Sequence, residues 1–127
     1  NSLNKFIIFM TAYLALIFGA VVGSSLRYFL SILNISITGL PITTILVNIS
    51  GSALAGLFLN KFNGSVYIFL YIGLFGSFTT LSSFNIDLFN LMNEKLFIKA
   101  FIFFTLNIFL SFIFFYLFYL VSLKLEN

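Results

Sequence analysis

The chain has 127 residues, 61% of them hydrophobic and only 7% charged, with a formal net charge of +3. At a mean hydropathy of +1.18 no soluble domain of this length could bury its apolar side chains behind a wettable surface, so this is an integral membrane protein. Cys and His are absent and the only carboxylates are the scattered Asp87, Glu94 and Glu126, which excludes disulfides, thiolate and imidazole metal sites and paired acid–base catalysis; no enzyme is expected.

A helix needs about 20 predominantly apolar residues to cross the hydrocarbon core. Four runs meet that requirement, at about 6–30, 42–60, 66–92 and 97–123. The expected fold class is an all-α membrane protein with four transmembrane helices. The whole of 1–127 is read as one transmembrane domain, and no repeat or linker interrupts it.

The first run follows Lys5 and continues through Gly19 and Gly23 to Arg27 without a cleavage pattern, so it is read as a retained span. Gly19-x-x-x-Gly23 is a close-packing motif, and Arg27, four residues on, falls on roughly the same face. Arg27 is therefore either a snorkelling residue beside a helix contact or a cation at the mouth of an anion path. A polar connection over 31–40 leads to Pro41, the only proline, placed near the first turn of the second helix.

The second run carries Thr44, Asn48 and Ser52 at i, i+4 and i+8, beside small Gly51, Ala55 and Gly56. An unsatisfied amide in an apolar medium costs roughly 2–7 kcal/mol. Asn48 must find a helix, water or an ion. Asn60-Lys61-Phe62-Asn63-Gly64 then marks a turn.

The third run contains the segment on which the rest converges, 73–84, reading GLFGSFTTLSSF. Gly, Ser and Thr all weaken a helix interior, so a break is expected here. At membrane depth a break must be buried in protein or line a polar cavity, which makes it a candidate ion site. Asp87 falls toward the end of this run. The fourth run repeats the polar stripe with Asn107 and Ser111. Neutral hydroxyls and amides donate to an anion without trapping it, and aromatic ring edges carry positive partial charge. The residues alone thus favour a small-anion pathway over a cation pump.

Basic residues are balanced across the expected topology. Lys5, Lys61 and Lys124 lie on one side, and Arg27, Lys95 and Lys99 on the other. Lys/Arg bias sets orientation, so an even count leaves two possibilities: a partner or helix depth decides, or the chain inserts both ways and pairs antiparallel with itself. So few charges do not support nucleic-acid binding.

Three segments in order, 19–28 (GAVVGSSLRY), 41–52 (PITTILVNISGS) and 73–84, together with four runs and this chain length, resemble the Fluc/CrcB fluoride channels. The resemblance implies a single channel domain over 1–127 and an antiparallel, dual-topology dimer that exports fluoride passively across a cell (inner) membrane. It implies a structural sodium ion at the dimer interface, held by the backbone carbonyls of Gly76 and Thr79. It also implies a fluoride pore formed by Asn48, Thr80, Leu81, Ser82, Ser83, Phe84, Asn107 and Ser111, with Arg27 at the vestibule. Leu81 stands where the family has a first pore phenylalanine, Ser77 and Thr43 where it has glycine, and Phe115 where the polar track often continues. Leu81 leaves open a subunit that works only as a heterodimer with an unlike homologue. A small dual-topology multidrug transporter needs a carboxylate in its first span, and none is present there.

Overall fold

The structure is a computed structural model and describes residues 1–126. Asn127, the last residue of the expected domain, lies outside the described residues.

Helix α1 (Ser2–Leu33) starts on the Asn1 side chain, which accepts from the Leu3 amide, and ends at Asn34 in the left-handed conformation. The stretch read as a polar connection is thus helical to Leu33 and then folds into a two-stranded hairpin, β1 (Ser36–Ile37) paired antiparallel with β2 (Leu40–Pro41). Its two-residue turn holds Thr38 at φ 54° and Gly39 at φ 80°, the pairing of positive angles that a type I′ turn requires. Lys99 reaches across from the last helix and donates to the Thr38 carbonyl at 2.6 Å.

Helix α2 (Ile42–Leu57) begins directly after Pro41. Its first amides, of Ile42 and Thr43, are satisfied by the Ile35 carbonyl at 3.0 and 3.3 Å, which answers the unpaired donors of a helix start. It ends three residues before the expected limit of 60. At that end the Tyr71 hydroxyl donates to the Ala55 carbonyl at 2.6 Å, satisfying an orphaned acceptor that lipid could not.

Helix α3 (Gly64–Asn93) and helix α4 (Phe97–Leu125) are, with α1, the three helices among the described residues that are long and apolar enough to cross a membrane; α2 is shorter, with 16 residues. Both α3 and α4 contain wide π-helical turns, at Ile68–Phe75 and Leu106–Leu110. α3 is interrupted: helix holds through Gly76–Phe78, Thr79 and Thr80 are extended, and helix resumes at Leu81–Asn93.

α1 packs on the first arm of α3 through glycines. A Cβ on Gly19 would strike the Phe69 carbonyl, one on Gly73 would sit 2.8 Å from the Gly19 Cα, and one on Gly23 would meet the Leu74 carbonyl and the Ser77 hydroxyl. The close-packing reading of Gly19 and Gly23 is what the backbones show. α2 lies against α4, with Gly56 seated on the Phe115 backbone. A core of Ile45, Phe84, Leu91, Ala100 and Phe103 joins α2, the second arm of α3 and α4. The rest of the large apolar surface faces outward, as expected of a chain solvated by lipid.

Candidate functional site

The break in α3 is built by side chains from three helices. Thr80 has φ −146° and ψ 121°, a strand-like conformation whose N–H and C=O point the same way. Asn48 meets both: its Oδ1 accepts from the Thr80 amide at 2.8 Å, and its Nδ2 donates to the Thr80 carbonyl at 3.1 Å. From the other side Arg27 Nε donates to the Ser77 carbonyl at 2.9 Å. The Thr80 hydroxyl then caps the second arm by accepting from the Ser83 amide at 3.0 Å.

These contacts redirect two backbone donors. In an unbroken helix the Thr80 amide would bond the Gly76 carbonyl and the Ser83 amide the Thr79 carbonyl. Here they go to Asn48 and to the Thr80 hydroxyl. The carbonyls of Gly76 and Thr79 are left at the negative end of a helix without those donors, an arrangement suited to a small hard cation.

Beside the break lies a groove of about 270 Å³ lined by Asn48, Ser52, Thr79, Thr80, Leu81, Phe84, Asn107, Ile108 and Ser111. Asn107 is 3% exposed. Its Nδ2 donates to the Phe103 carbonyl at 3.0 Å and its Oδ1 accepts from Asn48 at 2.9 Å, which leaves one N–H of the amide unassigned. The Ser111 hydroxyl is the one buried side-chain polar atom without a hydrogen-bond partner among the described residues. No carboxylate lines the groove. Phe84 is buried, stacked on Phe103 with ring centres 5.5 Å apart.

A second polar cavity, also about 270 Å³, lies on the Arg27 side and is lined by Ser24, Arg27, Tyr28, Ser31, Thr43, Thr44, Val47, Thr80 and Ser83. Thr80 lines both cavities. Of the residues expected at the pore, Asn48, Thr80, Leu81, Phe84, Asn107 and Ser111 therefore line one groove, whereas Ser83 lines the Arg27 cavity with the expected vestibule residue. Ser82 lines neither; its hydroxyl lies 3.1 Å from that of Thr80.

Thr44 and Asp87 are joined by a 2.6 Å hydrogen bond between hydroxyl and carboxylate. Sequence reasoning placed Asp87 toward the end of the third run and missed this partner. Thr44 on the stripe with Asn48 was the available signal. Asn107 and Asn48 were each identified on separate stripes, and the fold brings them into direct contact.

A model of the CrcB-like family, described as "CrcB-like protein, Camphor Resistance (CrcB)", matches residues 14–119. The chain is 39% identical over 101 residues to a fluoride-specific ion channel FluC of Methylobacterium radiotolerans, covering 72% of this chain and 70% of that protein. It is 36% identical over 106 residues to one of Shewanella frigidimarina, covering 78% and 86%. It is 39% identical over 85 residues to a fluoride-specific ion channel FluC 2 of Prochlorococcus marinus subsp. pastoris, covering 65% and 69%. A broken third helix braced by Arg27 and Asn48, together with a family match over most of the chain's length, makes this protein a member of the CrcB-like family.

Proposed function

We propose that the chain is a fluoride-selective channel that lets fluoride leave the cell passively and so lowers its concentration in the cytoplasm. The observation that carries this is the groove at the α3 break, which offers neutral donors, among them the unpartnered Ser111 hydroxyl, and no carboxylate. An anion entering an apolar medium must replace its hydration shell with hydrogen bonds. Hydroxyl and amide donors do so without the fixed charge that would hold the ion in place. Phe84 adds a ring whose edge is positive. The Arg27 cavity, meeting the groove at Thr80, supplies the entrance. The process forms and breaks no covalent bond.

In this reading α2 with its flanking residues is counted as a fourth crossing of the cell (inner) membrane, and two copies associate antiparallel in dual topology. Leu81, 67% exposed beside the groove, then faces the second copy. The carbonyls of Gly76 and Thr79 would hold a sodium ion between the copies, and the loss of their helical donors makes them fit that role. Bound there, the ion would neutralise the carbonyl ends of the broken helices. A second reading is favoured by Leu81 alone: an aliphatic side chain where the family pattern has a ring suits a subunit that conducts beside an unlike homologue.

The test is reconstitution of the purified chain in liposomes. Rapid fluoride release with almost no chloride release is expected. Well-folded dimers that release no fluoride would overturn the single-chain channel, and flux regained by adding a homologous chain would establish the second reading.

A further inference from the structure

The turn between α3 and α4 joins two membrane-crossing helices, which sets it at the depth of the lipid headgroups. Its backbone is fixed. The Lys95 amide donates to the Met92 carbonyl at 3.0 Å and the Leu96 amide to the Leu91 carbonyl at 2.9 Å, and Lys95 has φ 60°. This is the Schellman closure of a helix, whose left-handed residue is usually glycine and sometimes asparagine. Leu96 packs against the core and anchors the turn from within. On the outside lies a recess of about 490 Å³ lined by Lys95, Leu96, Phe97, Ile98 and Lys99. Its walls are mainly apolar, and Ile98 is 79% exposed.

Charge decides what such a surface fits. Two lysines and no carboxylate line the recess; the neighbouring Glu94 lines a separate cavity with Asp87 and Asn90. Neither lysine has a carboxylate partner among the described residues. The Lys99 ammonium is held by the Thr38 carbonyl at 2.6 Å, a bond that uses one of its three N–H groups. We propose that the recess binds one anionic phospholipid, with its phosphate between Lys95 and Lys99 and an acyl chain along the exposed Phe97, Ile98 and Phe101. A soluble anion would meet the lysines and leave the apolar wall bare, whereas a zwitterionic lipid would bring another cation beside them. The site is independent of the ion conducted, since none of its lining residues lines the groove or the Arg27 cavity.

The experiment titrates the purified full chain in detergent with phosphatidylglycerol and with phosphatidylcholine of the same acyl chains, and reads bound lipid and dimer fraction by native mass spectrometry. Phosphatidylglycerol should bind about 25-fold more tightly, which is about fivefold for each lysine at an anionic headgroup. Lys95→Asn removes one cation and keeps a residue that tolerates the left-handed turn. Its melting temperature should therefore match that of the unmodified chain, while its preference for phosphatidylglycerol falls about fivefold. Lys95→Arg should keep the preference. Soluble glycerol phosphate at the same concentration should not displace the lipid. Equal binding of the two lipids, a preference untouched by Lys95→Asn, or displacement by glycerol phosphate would each overturn the proposal. So would a Lys95→Asn chain that loses dimer and keeps its lipid preference, which would make this surface a contact between copies. Should Lys95→Asn not fold, the two lipids and glycerol phosphate on the unmodified chain decide.

Discussion

The Thr44 hydroxyl donates to the Asp87 carboxylate at 2.6 Å, linking the start of α2 to the second arm of α3 across 43 positions of sequence. Thr44 is 7% exposed and the bond is part-buried. Removing one partner of such a bond strands the other, which costs about 1–3 kcal/mol and more for a charged group. Thr44→Val should lower the unfolding free energy by about that amount, and Thr44→Ser should recover most of it. Denaturant titration in a fixed lipid–detergent mixture measures both. Equal stability of Thr44→Val and the unmodified chain would remove the bond from the account.

Ser111 gives the opposite sign. A buried hydroxyl without a partner destabilises the fold, so Ser111→Ala should leave stability unchanged or raise it by up to about 1–2 kcal/mol. Fluoride flux should nevertheless fall several-fold. Thermal unfolding together with liposome efflux separates the two effects, and a fall in both would assign Ser111 to packing.

The α1–α3 contact leaves no room at Gly23. Gly23→Ala places a methyl against the Leu74 carbonyl and the Ser77 hydroxyl, and overpacking of this kind costs typically about 1–3 kcal/mol. Ser77→Gly should restore part of the loss, because it relieves the hydroxyl clash and leaves the one with backbone. Full restoration would show that the Leu74 backbone gives way. The comparison is read from the yield of folded protein and from melting temperature.

Arg27 satisfies the Ser77 carbonyl through Nε. Lysine has no donor at that position along its stem, so Arg27→Lys should reduce flux and stability despite keeping the charge. A lysine variant with full flux would show that charge alone matters there.

Leu81→Phe supplies the missing ring at an exposed position. It should leave the stability of the single chain within about 0.5 kcal/mol, as for most surface changes, and raise fluoride efflux from liposomes made with this chain alone. Unchanged efflux would mean that the leucine does not limit conduction.

Much of this molecule was legible because lipid simplifies the problem: apolar runs long enough to cross it must be helices. The break in α3 was legible from Gly76, Ser77, Thr79 and Thr80, yet it falls at the end of that run. Gly76–Phe78 stays helical, with the Ser77 hydroxyl bonded back to the Gly73 carbonyl at 2.6 Å. The extended residues are those that Asn48 grips, and no local preference reveals a grip from another helix. The same holds for Tyr71 on Ala55, Lys99 on Thr38 and Thr44 on Asp87. Each joins residues far apart in sequence through one hydrogen bond. Composition and periodicity carry no trace of such pairs.

The brevity of α2 has an electrical consequence. At about 1.5 Å per residue, its 16 residues reach about 24 Å, short of the roughly 30 Å hydrocarbon layer. At its N-terminal end, cavities lined by Asn34, Asp87, Asn90, Thr43 and Thr44 offer polar partners enough to hold water. Water there would carry the applied voltage inward from that face, so the membrane potential would drop across less than the full hydrocarbon thickness. A voltage that would otherwise act over the whole bilayer would thereby act on a thinner layer of protein.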